Sequence, residues 1–289
     1  MDLGQLAALR EVGRGGNVTR AAQALGVTQP ALSRTLERLA RELGVPLLER
    51  HGRGIRLTRF GEAFLPHAER ALREVEDGRR RLDDLGGTIG GPIALGFLHT
   101  LGTELVPALV RDFRAQHPEV AFQLAEGAAA VLVRRLLEGE LDLCLSSGPP
   151  DDPRIAWTPL GEDELILITP RDHRLAKRRS VALHEVAAEP FVGYTANTAM
   201  RALGEELCRQ AGFTPHVVFE GDETGTVTGF VAAGLGVAIV PALHRTTTIA
   251  RLRITVPAAR RTIGVLQVAD RYHSATVRAF AALAAARAR

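Results

Sequence analysis

The sequence predicts an α/β protein preceded by a small all-α unit and a long helix. Three observations lead to this prediction. Helix caps and turn residues fall at mutually consistent places between residues 17 and 58. Apolar residues then recur at intervals of four and three as far as residue 85, and strand and helix patterns alternate from residue 93 onward. The order of these patterns gives a helical module, a linker helix and an α/β half.

A pair of short helices is predicted from the helix boundaries of the N-terminal module. Asn17 is a good cap for a helix over residues 19–25, which stops at Gly26. Thr28 caps the next helix, and Pro30 is tolerated in its first turn because a missing N–H costs nothing there. An earlier amphipathic helix, able to close the core behind the pair, is indicated by Leu3, Leu6, Leu9 and Val12. This arrangement is a helix-turn-helix.

The second helix of the pair has one apolar face and one polar face. Leu32, Leu36 and Leu39 follow at spacings of four and three, which indicates the core side. A DNA major groove admits one helix, and polar side chains on the opposite face can reach base edges or phosphate oxygens. The candidate DNA-binding residues of this helix are Thr28, Gln29, Pro30, Ser33, Arg34 and Arg38.

A β-hairpin is predicted next, because residues 46–50 and 55–57 flank a turn that contains Gly52 and Gly54. Such a hairpin forms a wing, and guanidinium groups suit phosphates and narrow minor grooves. The candidate DNA-binding residues of the wing are Arg50, Arg53 and Arg56. The alternative is a solvated charged face on an ordinary helical bundle. The agreement of cap, turn, proline and hairpin signals favours a winged helix-turn-helix instead.

Sequence motifs in this module carry a family resemblance. They are T-x-A-A (19–22), L-x-V-x-Q-P-A-L-S-R (25–34), L-E-x-L (36–39), E-L-G-V-x-L-x-x-R (42–50) and R-x-x-x-L-T-x-x-G-E (53–62). In these motifs the chain resembles the LysR-type transcriptional regulators, and its length and order of elements are similar to theirs. The resemblance implies an operator of double-stranded DNA, a small-molecule effector, self-association and contact with RNA polymerase.

The surplus of basic residues is confined to the same module. Residues 1–60 contain ten arginines and five acidic residues, whereas residues 61–90 contain five arginines and seven acidic residues. The remaining residues balance at 21 of each sign. This asymmetry is typical of a nucleic-acid-binding module joined to a neutral domain.

A long helix is predicted over residues 58–85. Its apolar positions follow a heptad spacing, at Phe64, Ala68, Ala71, Val75, Gly78, Leu82 and Leu85. A seam of this kind indicates pairing with a second copy of the helix, and packing on its own domain is the alternative. The resemblance favours dimerisation and also implies tetramers, so the choice between dimer and tetramer stays open.

The remaining half is predicted to alternate strands and helices and so to contain a parallel sheet covered on both faces. Strands are predicted over residues 93–98, 120–125, 141–146, 164–169, 190–194, 216–220, 237–240 and 262–268, and helices over 102–115, 128–138, 198–210, 224–233 and 274–286. Periodicity alone indicates a doubly wound α/β fold. The resemblance further implies a two-lobed, periplasmic-binding-protein-like (type II) effector domain, with crossovers near Asp163 and Val268.

A ligand site in such a fold lies at the carboxyl ends of parallel strands, where helix N-termini can hold anions. The candidate effector-binding residues at these ends are Thr100, Leu101, Gly102, Thr103, Ser146, Thr195, Asn197, Asp222 and Glu223. For Thr100 and Thr103 alone, helix capping is the alternative. A helix N-terminus at Gly102 would favour an oxyanion, whereas Asp222 and Glu223 would repel one. The charge of the effector therefore stays open at this point.

No catalytic, metal or cofactor site is predicted. His99, Asp142 and Ser146 lack a nucleophile motif that would make them a catalytic triad. The histidines lack the spacing of metal ligands. The glycines in the Gly234–Gly236 segment lack the spacing and placement of a dinucleotide loop.

The cysteines and the hydropathy pattern indicate an intracellular protein. Cys144 and Cys208, 64 residues apart, cannot form a disulfide framework, and redox sensing through them remains an alternative. No signal-like segment and no run of 18 apolar residues is present, so a cytoplasmic location is expected.

These observations predict a transcriptional regulator that is not an enzyme. The predicted domains are residues 1–59 for DNA binding, 60–90 for the linker and dimerisation helix, 91–163 with 268–289 for lobe I, and 164–267 for lobe II. Two alternatives remain: a solute-binding receptor with a vestigial N-terminal module, and a regulator without a small-molecule effector. Activation and repression are equally compatible with the sequence.

Overall fold

The computed structural model describes residues 1–51, 54–86, 89–196, 198–242 and 248–287. The chain divides into two compact units, Met1–Thr88 and Ile89–Arg289. Within these described ranges, the first unit has one apolar core and the second has two. In the described part of the chain, no helix is long and apolar enough to cross a membrane.

The N-terminal unit is a winged helix-turn-helix followed by a long helix. Its elements are α1 (Leu3–Gly15), α2 (Val18–Ala24), α3 (Gln29–Leu43), β1 (Leu48–His51), β2 (Gly54–Leu57) and α4 (Arg59–Leu85). The Asn17 side chain caps α2 by accepting hydrogen bonds from two backbone N–H groups, and Thr28 caps α3. Gly26 adopts φ 65° between the two helices, a left-handed conformation that glycine adopts without strain. Strands β1 and β2 pair antiparallel as the predicted wing.

The two halves of α4 lie in different surroundings. In the first half, Ala68 is 1% exposed, and Phe64 packs against the core of the N-terminal unit. In the second half, Val75 is 37%, Leu82 68% and Leu85 84% exposed. The predicted seam thus packs on its own unit at one end and presents apolar side chains to solvent at the other.

The C-terminal unit contains two lobes, each built around one core. Its strands are β3 (Ile93–Leu98), β4 (Phe122–Gly127), β5 (Leu143–Ser147), β6 (Ile155–Thr169), β7 (Ser180–Ala182), β8 (Pro190–Tyr194), β9 (His216–Gly221), β10 (Ala238–Pro241), β11 (Ala250–Val256) and β12 (Arg260–Val268). Its helices are α5 (Leu105–Gln116), α6 (Ala129–Glu138), α7 (Ala199–Gln210), α8 (Thr224–Ala232) and α9 (Ala275–Arg287). Short 3₁₀ turns span His99–Leu101 and Leu183–Val186.

Strand β6 connects the two lobes. The sheet order is β4-β3-β5-β12-β6-β11-β7, and β10 also pairs with β6. Strands β3, β4 and β5 are parallel, as predicted, and belong to the first lobe with α5, α6 and α9. The first ten residues of β6 pair with β12, whereas residues 165–169 pair with β10 and β11 of the second lobe. The parallel pair β8 and β9 lies in the second lobe.

The structure corrects two predicted boundaries. The return crossing between lobes falls before β12 and not between residues 267 and 268, because Ile263, Val265 and Leu266 are buried in the first core against β5. The helix predicted from Gly102 begins at Leu105, since the preceding residues form a separate 3₁₀ turn. Strands β7 and β11 and the first part of β6 lie outside the strands predicted from sequence.

Candidate DNA interface and interlobe cavity

The start of α3 presents a polar surface. Gln29 and Arg34 are exposed, and the Gln29 Nε2 donates a hydrogen bond of 3.1 Å to the Oγ of the half-buried Ser33. Thr28 and Pro30 are exposed beside them. The buried side of the same helix carries Leu32, Leu36 and Leu39. The polar side chains therefore remain free to face a partner because the leucines fix the helix on its other side.

The arginines predicted to contact DNA differ in their partners. Arg38 lies 2.9 Å from Asp2, and Arg56 lies 2.6 Å from Glu49 on the neighbouring wing strand. Among the described residues, Arg34 has no carboxylate partner. Arg50 likewise has none there. Arg53 lies outside the described residues.

A surface cavity of about 470 Å³ joins the helix pair to the wing. It is lined by Gly16, Asn17, Val18, Thr19, Gln29, Arg50, Gly54 and Ile55. The helix candidate Gln29 and the wing candidate Arg50 therefore border one concave surface, although they lie 21 positions apart in the sequence.

A second cavity lies between the two lobes of the C-terminal unit, with a volume of about 350 Å³. It is lined by Leu98, His99, Thr100, Gly127, Ala128, Ala129, Ala130, Ser147, Tyr194, Thr198, Ala199, Met200, Leu203, Asp222 and Arg261. Most of these residues follow the carboxyl ends of the parallel strands β3, β4, β5, β8 and β9. The position agrees with the general rule for ligand sites in α/β folds. We call this space the interlobe cavity.

An adjoining polar cavity of about 170 Å³ shares His99 and Thr100 with the interlobe cavity. Its other lining residues are Thr103, Glu126, Glu223, Thr224, Gly225 and Pro241. The structure thus brings Thr100 and Asp222 to the larger space and Thr103 and Glu223 to the smaller one.

Other predicted effector residues lie elsewhere. Leu101 is fully buried in the first core, so its side chain points away from both cavities. Gly102 belongs to the lining of neither cavity. Ser146 is 3% exposed, and its neighbour Ser147 lines the interlobe cavity instead, because successive strand residues face opposite sides. Thr195 donates a 2.5 Å hydrogen bond to Asp222, and Asn197 lies outside the described residues.

A buried ion pair borders the interlobe cavity where β6 and β12 pair side by side. Arg261 Nε donates to Asp163 Oδ2 at 2.7 Å, and the two side chains are 3% and 5% exposed. Arg261 Nη1 donates to Thr100 Oγ1 at 3.0 Å and contacts Met200 Sδ at 3.4 Å. Burial raises the pKa of Asp163 above its ordinary value, and the adjacent guanidinium offsets this only in part.

Tyr194 supplies a neutral hydroxyl to the same cavity. Its Oη lies 2.7 Å from Thr224 Oγ1, and burial raises the pKa of Tyr194 to about 12. The phenol is therefore protonated at neutral pH.

The sequence does not single out Arg261, Asp163 or Tyr194 as site residues, and of the strand end at Ser146 and Ser147 it gives Ser146 as the candidate. The ion pair joins positions 98 residues apart, so no local pattern signals it. One signal was available for α6, whose start at Ala128 carries no Ser, Thr, Asp or Asn cap. An uncapped helix start after a strand leaves N–H groups for a ligand.

Comparison with known proteins identifies the family. The model of the LysR substrate binding domain matches residues 86–289, and that of the bacterial regulatory helix-turn-helix protein, lysR family, matches residues 3–62. The chain belongs to the LysR family of transcriptional regulators. Over 283 residues this regulator is 40% identical to YybE of Bacillus subtilis, an uncharacterized HTH-type transcriptional regulator, with 97% of each chain covered.

Solved structures of LysR-type proteins share the fold of this regulator. Full-length CbnR in complex with its target DNA is 25% identical, with a TM-score of 0.76 and all of both chains covered. The effector binding domain of QuiR in complex with shikimate is 26% identical, with a TM-score of 0.64, and the match covers 69% of this chain and 97% of that domain. The predicted winged helix-turn-helix, linker helix and two-lobed effector domain are thus confirmed.

Proposed function

We propose that this LysR-type regulator binds a two-fold DNA operator through α3 and the wing, and that a small molecule in the interlobe cavity controls its activity. We propose further that it acts in the cytoplasm, contacts RNA polymerase and catalyses no reaction. The observation that carries the proposal is the placement of Gln29 and Arg50 on one concave surface. A helix face and a hairpin can there read a major groove and the neighbouring backbone together.

The proposed DNA contacts fall into two classes. Gln29, oriented by Ser33, reads base edges, with Thr28 and Pro30 beside it. The arginines of α3 and the wing, Arg34, Arg38, Arg50, Arg53 and Arg56, neutralise phosphates. Arg38 and Arg56 exchange exposed carboxylate partners for phosphate, which is inexpensive because exposed ion pairs contribute little stability. The complex of CbnR with its target DNA supports this use of the fold.

We propose that the exposed half of α4 pairs with the same helix of a second chain. Val75, Leu82 and Leu85 lie on the predicted heptad seam and are exposed in the single chain. Pairing would remove them from water and place two α3 helices on the two halves of an operator.

Leu82→Glu, which sets like charges face to face, should reduce the oligomeric mass measured by sedimentation. Arg79→Glu, off the seam, is the control, and unchanged mass for Leu82→Glu would contradict the pairing.

The proposed division of the chain is residues 1–59 for DNA binding, 60–90 for association, and the rest for effector binding in two lobes. Thr100, Ser147 and Asp222 line the interlobe cavity, and Thr103 and Glu223 line the adjoining one. A ligand that contacts both lobes favours one of their arrangements and so shifts the state of the oligomer. The QuiR domain with bound shikimate supports a small-molecule site in this fold.

The two alternative functions predict different observations. A solute-binding receptor with a vestigial N-terminal module would not account for the net positive charge of residues 1–60, nor for Arg34 and Arg50, which have no carboxylate partner in the described part of the chain. A regulator without an effector gives no reason for a cavity lined by the carboxyl ends of strands from both lobes.

Two experiments test the proposal. Sequencing the genomic fragments that the purified chain binds should yield a shared two-fold motif, and its absence would contradict operator binding.

Metabolites that alter binding to that motif should lose their effect in Thr100→Val, which removes a hydroxyl from both cavities. Thr226→Val, at an exposed position of α8, should keep the response. A Thr100→Val protein that responds at the same metabolite concentration would exclude these cavities as the sensor.

A further inference from the structure

The C-terminal half of the chain is neutral in total but has a basic surface in its second lobe. Residues 170–190 and 250–255 together contain seven basic and three acidic side chains, although residues 91–289 contain 21 of each sign. The pairing of β7 with β11 brings these two stretches together at one end of the main sheet. The basic side chains are Arg171, Arg174, Lys177, Arg178, Arg179, Arg251 and Arg253.

The loop that precedes β7 is held in place by contacts on its inner side. Leu175 is buried in the core of the second lobe, and Arg178 donates two hydrogen bonds of 2.5 and 3.1 Å to Glu185. Lys177 and Arg179, on either side of Arg178 in the sequence, are exposed. The loop therefore presents two cations to solvent from an anchored backbone.

Arg253 of the neighbouring strand adjoins this loop. Its backbone N–H donates to the carbonyl oxygen of Arg179 at 3.0 Å, and its Cα pairs with that of Ser180. Lys177, Arg179 and Arg253 are all exposed, and none of them has a carboxylate partner in the described part of the chain. We call these three residues the edge patch. Their charges are available to a partner.

The side chains around the edge patch limit the kind of partner. In the described ranges, no large apolar side chain is exposed between residues 170 and 185 or between 250 and 255, and Val256 is the first one beyond them. These stretches also contain no Phe, Trp or Tyr. Protein partners bury an apolar centre, and single-stranded nucleic acids stack their bases on aromatic rings. The surface thus lacks what either of these partners needs.

The phosphates of duplex DNA need only exposed cations. Arginine and lysine contact phosphate oxygens without reading the bases, and several contacts form at once. Each contact releases counterions, which makes the sum favourable although the single charges are exposed. A small anion would gain less, because solvent and salt screen each of these charges. Charge and composition together favour a duplex polyanion.

Basic side chains beside an edge strand also have a structural role. Charges at the end of a sheet prevent pairing with another chain, and β7 is the last strand of the main sheet. This role accounts for Lys177 and Arg179, which precede β7. It does not account for Arg253, because β11 is already paired on both sides, with β6 and β7. A polyanionic partner accounts for all three residues.

We propose that the edge patch is a second DNA-contacting surface, which binds the phosphates of double-stranded DNA without reading their sequence. The contacts proposed for α3 and the wing all lie within residues 28–56, so this inference goes beyond the proposed function. Additional phosphate contacts raise the affinity for every duplex alike. The edge patch therefore changes the strength and salt dependence of DNA binding and leaves its specificity unchanged.

The first test compares the full chain with Lys177→Gln/Arg179→Gln on a long duplex of random sequence at several salt concentrations. The double variant should bind about tenfold more weakly at low salt, and the slope of log K against log salt should fall by about two units. Arg114→Gln/Arg134→Gln is the control, because it removes two exposed arginines of the first lobe and the same total charge. An unchanged slope for the variant at 177 and 179, or an equal change in the control, would overturn the proposal.

The second test uses the unsubstituted chain, in which Lys177 is the only lysine. An amine-acylating reagent and mass spectrometry of the peptide that contains Lys177 measure how accessible the edge patch is. Random duplex DNA should slow the acylation, and added salt should restore its rate because phosphate contacts weaken with salt. Single-stranded DNA and poly-glutamate, at equal concentrations of charge, represent the other classes of partner. Stronger protection by either of them than by the duplex, or no protection by the duplex, would overturn the proposal.

These results are separable from a failure of the proposed function. If duplex DNA leaves Lys177 unprotected, the edge patch is excluded while operator binding through α3 and the wing stands. If the bound genomic fragments share no motif, sequence-specific regulation is excluded while the measurements on random DNA keep their meaning.

Discussion

The two candidate sites of this chain are built in opposite ways. The DNA interface uses one helix and the hairpin that follows it, all within residues 28–56, and its polar groups are mostly exposed. The interlobe cavity uses the ends of strands spread from residue 98 to residue 261, and its main charged group is buried. The residues of the surface site are therefore close together in the sequence and form a local pattern. The residues of the interlobe cavity are far apart in the sequence and meet only in the folded chain. The strength of charge–charge interactions differs as well, because solvent screens the charges at the DNA interface, whereas the ion pair at the interlobe cavity is removed from solvent.

Two neighbouring ion pairs allow this difference to be measured on the same strands. Asp163–Arg261 is almost fully buried, whereas Glu162–Arg260 has side chains that are 58% and 64% exposed. Asp163→Ala leaves a buried guanidinium without its counter-ion and should reduce the free energy of unfolding of this unit by roughly 3–5 kcal/mol. Glu162→Ala should cost about 1 kcal/mol or less.

The measurement is urea unfolding followed by the fluorescence of Trp157. This is the only tryptophan of the chain, and it packs against the first core. Equal losses for the two variants would break the comparison, because the buried pair would then behave as a surface pair.

At the exposed site, the largest expected effects concern specificity. Gln29→Ala should weaken binding to the operator by roughly 1–3 kcal/mol and leave binding to random DNA nearly unchanged, as the loss of a base-edge contact does. Ser33→Ala should act in part through Gln29, since the two side chains are hydrogen-bonded, so the double variant should lose less than the sum. Fluorescence anisotropy measures the affinity of each variant for an operator duplex and for a scrambled duplex. Equal losses on both duplexes would remove Gln29 from base recognition.

Replacement of the wing arginine should change how strongly DNA binding depends on salt concentration. Arg50→Ala removes a charge that has no carboxylate partner among the described residues, and it should weaken binding to most sequences. The slope of log K against log salt should fall by about one unit. Arg209→Ala removes an exposed arginine from α7 and serves as the control. An unchanged slope for Arg50→Ala would place the wing away from the phosphates.

The smallest expected effect concerns the thiols. Burial raises the pKa of both Cys144 and Cys208 to about 12, and the two lie in different cores. Neither thiol should react with a thiolate-specific reagent at pH 8 until the protein unfolds, since the thiolate is the reactive form. Mass spectrometry after timed labelling provides the measurement. Rapid modification of either cysteine in the folded chain would restore redox sensing as an alternative function.

The same contrast explains which elements of the fold are predictable from the sequence. Strand β3 has the bounds predicted for it, because apolar runs bounded by turn residues depend on local chain properties. The wing and the capped helices were predictable for the same reason. The strand end at Ser146 and Ser147 is predictable too, but periodicity shows only that the two side chains face opposite sides and not which of them borders a cavity.

The rest depended on tertiary contacts. Arg261 stands next to Arg260 in a chain rich in arginine, and only the pairing of β12 with β6 shows that one is buried and the other exposed. The late start of α5 follows from the burial of Leu101 in the first core, which residue propensities do not signal.

The buried pair also constrains how this chain can change by mutation. Loss of either Asp163 or Arg261 alone leaves an uncompensated charge, whereas replacement of both by apolar residues of similar volume is often neutral or stabilising. A single substitution at either position is therefore deleterious, although the double substitution can be tolerated. The effects of the two substitutions on stability are coupled and do not add. We expect descendants of this chain to retain both residues or to have replaced both. Two positions 98 residues apart in the sequence would then change together or not at all.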